Sequence, residues 1–175
     1  MNPKATKSHQ RARGTWLTFI ALLFALGAAS PASAQFTLDD SYAAWVGFTN
    51  TFIYVNSDGS QDFHEKEGGT SMNGFWETAE LIEIADDAFW WSTNNYPGHN
   101  HIGYFNAVNA LCAGFEDQNG ANWSADLFND DLNWATIAFE RAYEITGNAK
   151  WLQAAETNFT VVWNRGKNGN GGLNK

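Results

Sequence analysis

The chain has 175 residues, with 19 Asp and Glu against 10 Lys and Arg for a formal charge of −9, a single Cys, and aromatics at 15 %. That length holds one domain or part of a larger one, and the aromatic content excludes a disordered acidic tail. One Cys excludes a disulfide framework or a Cys-cluster metal site, and the acidic balance argues against a nucleic-acid partner, leaving a neutral partner that stacks and hydrogen-bonds, such as carbohydrate.

Lys4, Lys7, Arg11 and Arg13 precede an apolar run from Trp16 to Leu26, and Ala32-Ser33-Ala34 has the small-x-small pattern of a cleavage site. Residues 1–34 therefore read as a secretory signal peptide. The run is short for a bilayer span of roughly 20 residues, so no stable membrane span is expected after cleavage. The mature chain, residues 35–175, is expected outside the cell or at its surface. Losing four cations and no acid takes its formal charge from −9 to −13. Asn122-Trp123-Ser124 and Asn158-Phe159-Thr160 are tripeptides open to N-glycosylation in a eukaryotic secretory route.

Apolar residues then recur at helical spacing. A first helix is expected over about 39–55, capped near Asp39 or Asp40, with Tyr42, Trp45, Val46, Phe52 and Ile53 on its stripe. Residues 56–70 read as a polar loop. A second helix, about 71–92, carries Met72, Phe75, Trp76, Ala79, Ile82, Ala85 and Phe89 around most of its circumference, which predicts burial between neighbours. A third, about 99–116, follows Pro97-Gly98. A fourth spans about 129–146, with Gly147 as its C′ residue. Asn148 caps a fifth, about 149–164. Helices joined by alternating long and tight connections make the class all-α, built of helical hairpins. An open solenoid and a closed ring both fit, but no repeat near 34 residues supports the solenoid.

Three aspartate pairs stand out. Asp39-Asp40 most simply complements a helix dipole. Asp86-Asp87 reads as a solvated ridge or a partner for a cation. Asp130-Asp131 opens the fourth helix among Phe128, Leu132 and Trp134. A capping role is open to that pair, with Asn129 or Asp130 as N-cap and Asp131 beside free N–H groups. A catalytic role is also open. Successive helical residues point about 100° apart, which permits the short carboxyl separation of a retaining glycosidase, and a dry aromatic surround splits the two ionisation states.

The residues here carry a resemblance. Asn129-Asp130-Asp131-Leu132-Asn133-Trp134-Ala135, with Ala138-Phe139-Glu140-Arg141-Ala142-Tyr143-Glu144-Ile145-Thr146-Gly147-Asn148, resembles the signature of glycoside hydrolase family 76, the endo-α-1,6-mannanases and related cell-wall mannan transglycosylases. Phe75-Trp76-Glu77-Thr78-Ala79-Glu80-Leu81-Ile82-Glu83 is similar to an upstream helix of that family. Val162-Trp163-Asn164-Arg165-Gly166 and Gly171-Gly172-Leu173 resemble its next helix and Gly-rich loop. The resemblance implies an (α/α)6 toroid, of which five helices correspond to an N-terminal portion, and a cleft that binds mannan or a mannose-containing cell-wall polysaccharide. By position, it makes Asp130 the nucleophile and Asp131 the general acid/base. Trp134, Asn133, Asn129 and Trp76 become sugar contacts, although either Trp could instead pack in the core. Hydrolysis and transfer to a sugar acceptor both remain open, and a non-catalytic helical binding module is the rival from another class. No cofactor motif is present, and His99-Asn100-His101 lacks a third metal ligand at a suitable spacing. Cys112 reads as a buried apolar side chain. Glu80 and Glu83 could line a cleft or pair with Arg141.

Overall fold

The computed structural model describes residues 38–98 and 101–167. The signal segment 1–34, His99 and Gly171-Gly172-Leu173 lie outside the described residues. Within them the order is α1 (Leu38–Phe52), β1 (Ile53–Val55), β2 (Gln61–Phe63), α2 (Phe75–Asn95), α3 (Ile102–Asn119), α4 (Asn129–Thr146) and α5 (Ala149–Gly166). The chain divides into Met1–Ser41 and Tyr42–Lys175; the packing below is that of the second unit. The structure is thus predominantly helical, and no helix among the described residues is long and apolar enough to cross a membrane.

The first helix stops three residues earlier than its apolar stripe implies. Ile53-Tyr54-Val55, which is costly in a helix because of β-branched and aromatic χ1 restriction, instead pairs antiparallel with Gln61–Phe63. The turn between them is closed by the Asp58 carboxylate, which accepts the Ser60 N–H at 3.0 Å and hydroxyl at 2.8 Å. These two hydrogen bonds hold the Asp58 carboxyl below its ordinary value. Asp62, buried on β2, accepts from Asn56 Nδ2 at 2.7 Å and Gln118 Nε2 at 2.6 Å, which ties the hairpin to α3. Gly114 lets α3 and β2 approach closely, because a Cβ there would collide with the Gln61 carbonyl.

The second helix starts at Phe75 rather than 71. Met72 forms a bridge with His64, and the Asn73 N–H donates to the Phe63 carbonyl at 3.0 Å, so this stretch prolongs the hairpin. The turn between α4 and α5 follows the sequence signals. Gly147 takes the left-handed conformation at φ 68°, and the Asn148 side chain accepts the Lys150 N–H.

Helix α4 packs against both α2 and α5, while α3 packs against α2 and β2. Small residues make the close approaches: Ala79 and Ala85 on α2, Ala135, Ala138 and Ala142 on α4, and Ala154 and Ala155 on α5 are all buried. A chain of edge-to-face rings runs through the centre. Phe75–Phe115, Phe115–Trp123, Trp123–Phe139 and Phe139–Trp151 have centroid separations of 4.9, 5.4, 5.1 and 5.5 Å. These spacings are favourable for ring quadrupoles and join α2, α3, α4 and α5 through one core.

Candidate active site

The segment before α4 is fixed from α5. Asn158 is fully buried; its Oδ1 accepts the Trp123 N–H at 2.8 Å, and its Nδ2 donates to the carbonyls of Ala121 and Ala154 at 3.0 and 2.9 Å. That enclosure leaves no room for a glycan at Asn158, whereas Asn122 is exposed. Arg165 donates to the Asp126 and Ser124 carbonyls at 2.7 and 2.5 Å. Asp126 in turn accepts the Phe128 N–H at 2.8 Å. Four polar contacts from two α5 side chains thus set the direction in which α4 begins.

Neither Asn129 nor Asp130 is the N-cap. That position is Phe128, in extended conformation, and no side chain caps the helix. A phenyl ring cannot accept the free first-turn N–H groups, so these stay oriented toward the mouth of α4 alongside Asp130 and Asp131. The helical phase separates the two acids. Asp131 is in register with the buried Ala135, Ala138 and Ala142, and Asp130 with the exposed Trp134 and Ile137. Asp131 is accordingly half-buried and Asp130 exposed. Burial raises the Asp131 carboxyl above its ordinary value, and the charges of Asp126, Asp130 and Glu77 add to that rise. This arrangement raises the proton affinity of one acid beside a solvent-accessible neighbour.

Helices α2 and α4 run in the same direction. Glu77, in the first turn of α2, acts on Asp131 in the first turn of α4, and farther along Glu83 and Asp87 both pair with Arg141. Trp76 in the first turn of α2 therefore belongs to the same end as Asn129, Asp130, Asp131, Asn133 and Trp134. Both Trp76 and Trp134 are 41 % exposed, so neither is a core ring. Asn129 and Asn133 are half-buried, and Asn129 Oδ1 is enclosed with no hydrogen-bond partner.

The other singled-out side chains have structural surroundings. Arg141 bonds Glu83 at 3.1 Å and also pairs with Asp87, while Glu80 is exposed. Asp86 is fully buried rather than part of a solvated ridge. Its spacing from Ala79 and Ile82 places it on the buried stripe, a signal its charge masks in the sequence. The His101 ring is engaged at both nitrogens, Nδ1 with Ser92 Oγ at 2.7 Å and Nε2 with the Tyr96 carbonyl at 3.2 Å. Among the described residues no group of three or more His, Cys, Asp or Glu is placed to hold a metal ion. Cys112 is buried, which pushes its thiol well above the ordinary range. A groove of about 510 Å³ lined by Asp58, Ser60, Gln61, Asn106, Asn109 and Asp117 lies between the hairpin and α3, and no α4 residue lines it.

No protein-family model matches the chain, and no curated protein matches it.

Proposed function

We propose that the chain is the N-terminal part of a secreted glycoside hydrolase of family 76, its helices belonging to an (α/α)6 toroid, which cleaves α-1,6-mannosidic bonds with retention. The observation that carries this reading is the unequal environment of two adjacent acids at one helix mouth. Asp130 is exposed, Asp131 is half-buried with its proton favoured, and two half-open tryptophans stand at the same end. The sequence resemblance supplies the substrate class.

In this mechanism an Asp130 carboxylate oxygen attacks the anomeric carbon. The bond from that carbon to the leaving O6 breaks, and Asp131 gives its proton to O6. The sugar is then held as an ester on Asp130. Asp131, now a carboxylate, takes a proton from water as the water oxygen attacks the same carbon. The ester bond breaks and Asp130 returns as a carboxylate. Two inversions give net retention. The Trp76 and Trp134 faces offer apolar platforms for pyranose C–H groups, and Asn129 and Asn133 offer amides to the hydroxyls.

The test is cleavage of linear α-1,6-mannan by the protein expressed from its full reading frame, with the anomeric configuration of the first product followed by proton NMR. Wild-type cleavage with retention, lost in Asp130→Asn and in Asp131→Asn while the circular dichroism spectrum is unchanged, supports the reading. Cleavage at the wild-type rate in both variants would remove the site assignment.

A further inference from the structure

Asp86 lies in the middle of α2 with none of its surface exposed, and neither carboxyl oxygen has a hydrogen-bond partner. A carboxylate in that state is costly, because a buried charge without hydrogen bonds loses its hydration and regains nothing. Its sequence neighbours explain why no cation bonds it directly, although the Arg141 charge acts on it. Glu83 and Asp87 stand within one turn on the same helix, and they take the guanidinium of Arg141 from α4. The clasp therefore spans the turn that carries Asp86 while bonding only the acids on either side.

We propose that Asp86 is a proton-operated latch between α2 and α4: while protonated it packs as a neutral side chain beneath the Arg141 clasp, and once it loses that proton to solvent it competes with Glu83 and Asp87 for the same guanidinium. The charged and titratable groups around it are Glu83 and Asp87 on α2, Arg141 on α4 and Cys112 on α3; Glu116, which acts on Cys112, is already paired to Lys150 of α5. Burial, opposed by Arg141 and assisted by Glu83 and Asp87, pushes the Asp86 carboxyl up to about 8. Because the folded value lies above the ordinary Asp value of 3.8, the protonated latch is fully present below pH 4. Its contribution falls as pH rises and is gone above about 8. Both latched helices begin at the candidate mouth, so their loosening is transmitted to the elements that carry Asp131 and Trp76.

The experiment is equilibrium denaturation of the whole chain from pH 4 to pH 9, with infrared spectra of the protonated-carboxyl stretch. Asp86→Asn is expected to match the wild type at pH 4. Its folding constant relative to the wild type should then rise by up to about tenfold per pH unit until pH 8. The wild-type-minus-variant difference spectrum should show a protonated-carboxyl band at pH 7. Arg141→Met, which withdraws the opposing cation, should move the wild-type loss of stability to higher pH. Parallel stability profiles for Asp86→Asn and wild type, a difference spectrum without the band at pH 7, or an Arg141→Met transition at the wild-type pH would each overturn the latch.

Discussion

Asp86-Asp87 in α2 and Asp130-Asp131 in α4 begin from one local geometry, two acids about 100° apart on a helix surface, and in both pairs one side chain turns inward while its neighbour turns outward. The surroundings then diverge. The α2 pair sits in mid-helix, where the outer acid is held by Arg141 and the inner one is sealed in the core. The α4 pair opens its helix beside uncapped N–H groups, and the inner acid is only half-buried among three other carboxylates. Burial gives both inner acids a raised proton affinity, but the exposed neighbour in α2 is tied to Arg141, and it is the exposed neighbour at the α4 mouth that the proposed mechanism uses as nucleophile. In the proposed mechanism, position along the helix, more than the pairing of acids, separates a structural proton from a chemical one.

The sharpest way to break this comparison is to neutralise one acid from each pair. Asp131→Asn should lower mannan turnover on the order of a thousandfold, as loss of general acid/base catalysis does, whereas Asp87→Asn should leave turnover within twofold. Equal losses in initial-rate assays would erase the distinction.

A change in the supporting loop comes next. Asn158→Ala leaves the Trp123 N–H and the Ala121 and Ala154 carbonyls without their side-chain partner, and should cost about 3 kcal/mol in chemical denaturation. Turnover should fall as well, because this side chain fixes the approach to α4.

How the site could be read in the sequence varies with the range of the forces involved. The Gly147 stop and the Asn148 cap depend on residues within one turn of each other, so local signals place them. Ile53-Tyr54-Val55 continues a helical stripe and becomes a strand only because Gln61–Phe63 pairs with it and Asn56 and Gln118 hold Asp62. The start of α2 moves to Phe75 for the same non-local reason, since Met72 is drawn into a bridge with His64. The split between Asp130 and Asp131 follows from helical phase once the neighbouring alanines are known to be buried. The anchoring roles of Asn158 and Arg165 depend on contacts 35 and 39 residues away along the chain, and nothing in the local pattern announces them.

Two smaller effects sharpen the comparison further. Glu77→Gln removes one like charge that raises Asp131. The Asp131 carboxyl should fall, and the alkaline limb of the kcat profile should move to lower pH. An unmoved limb would mean that Glu77 has no part in holding that proton. Asp87→Asn, at an exposed end of the Arg141 clasp, should cost no more than about 1 kcal/mol by thermal or chemical denaturation.

The most direct measurement is peptide mass spectrometry after incubation with a fluorinated α-mannosyl donor that forms the glycosyl ester rapidly and releases it slowly. A single mannosyl adduct on the Asp130 carboxylate, absent in Asp130→Asn, is the expected result. An adduct on Asp131, or none under conditions in which the protein cleaves mannan, would contradict the assignment of the outward acid as nucleophile and the inward acid as proton donor.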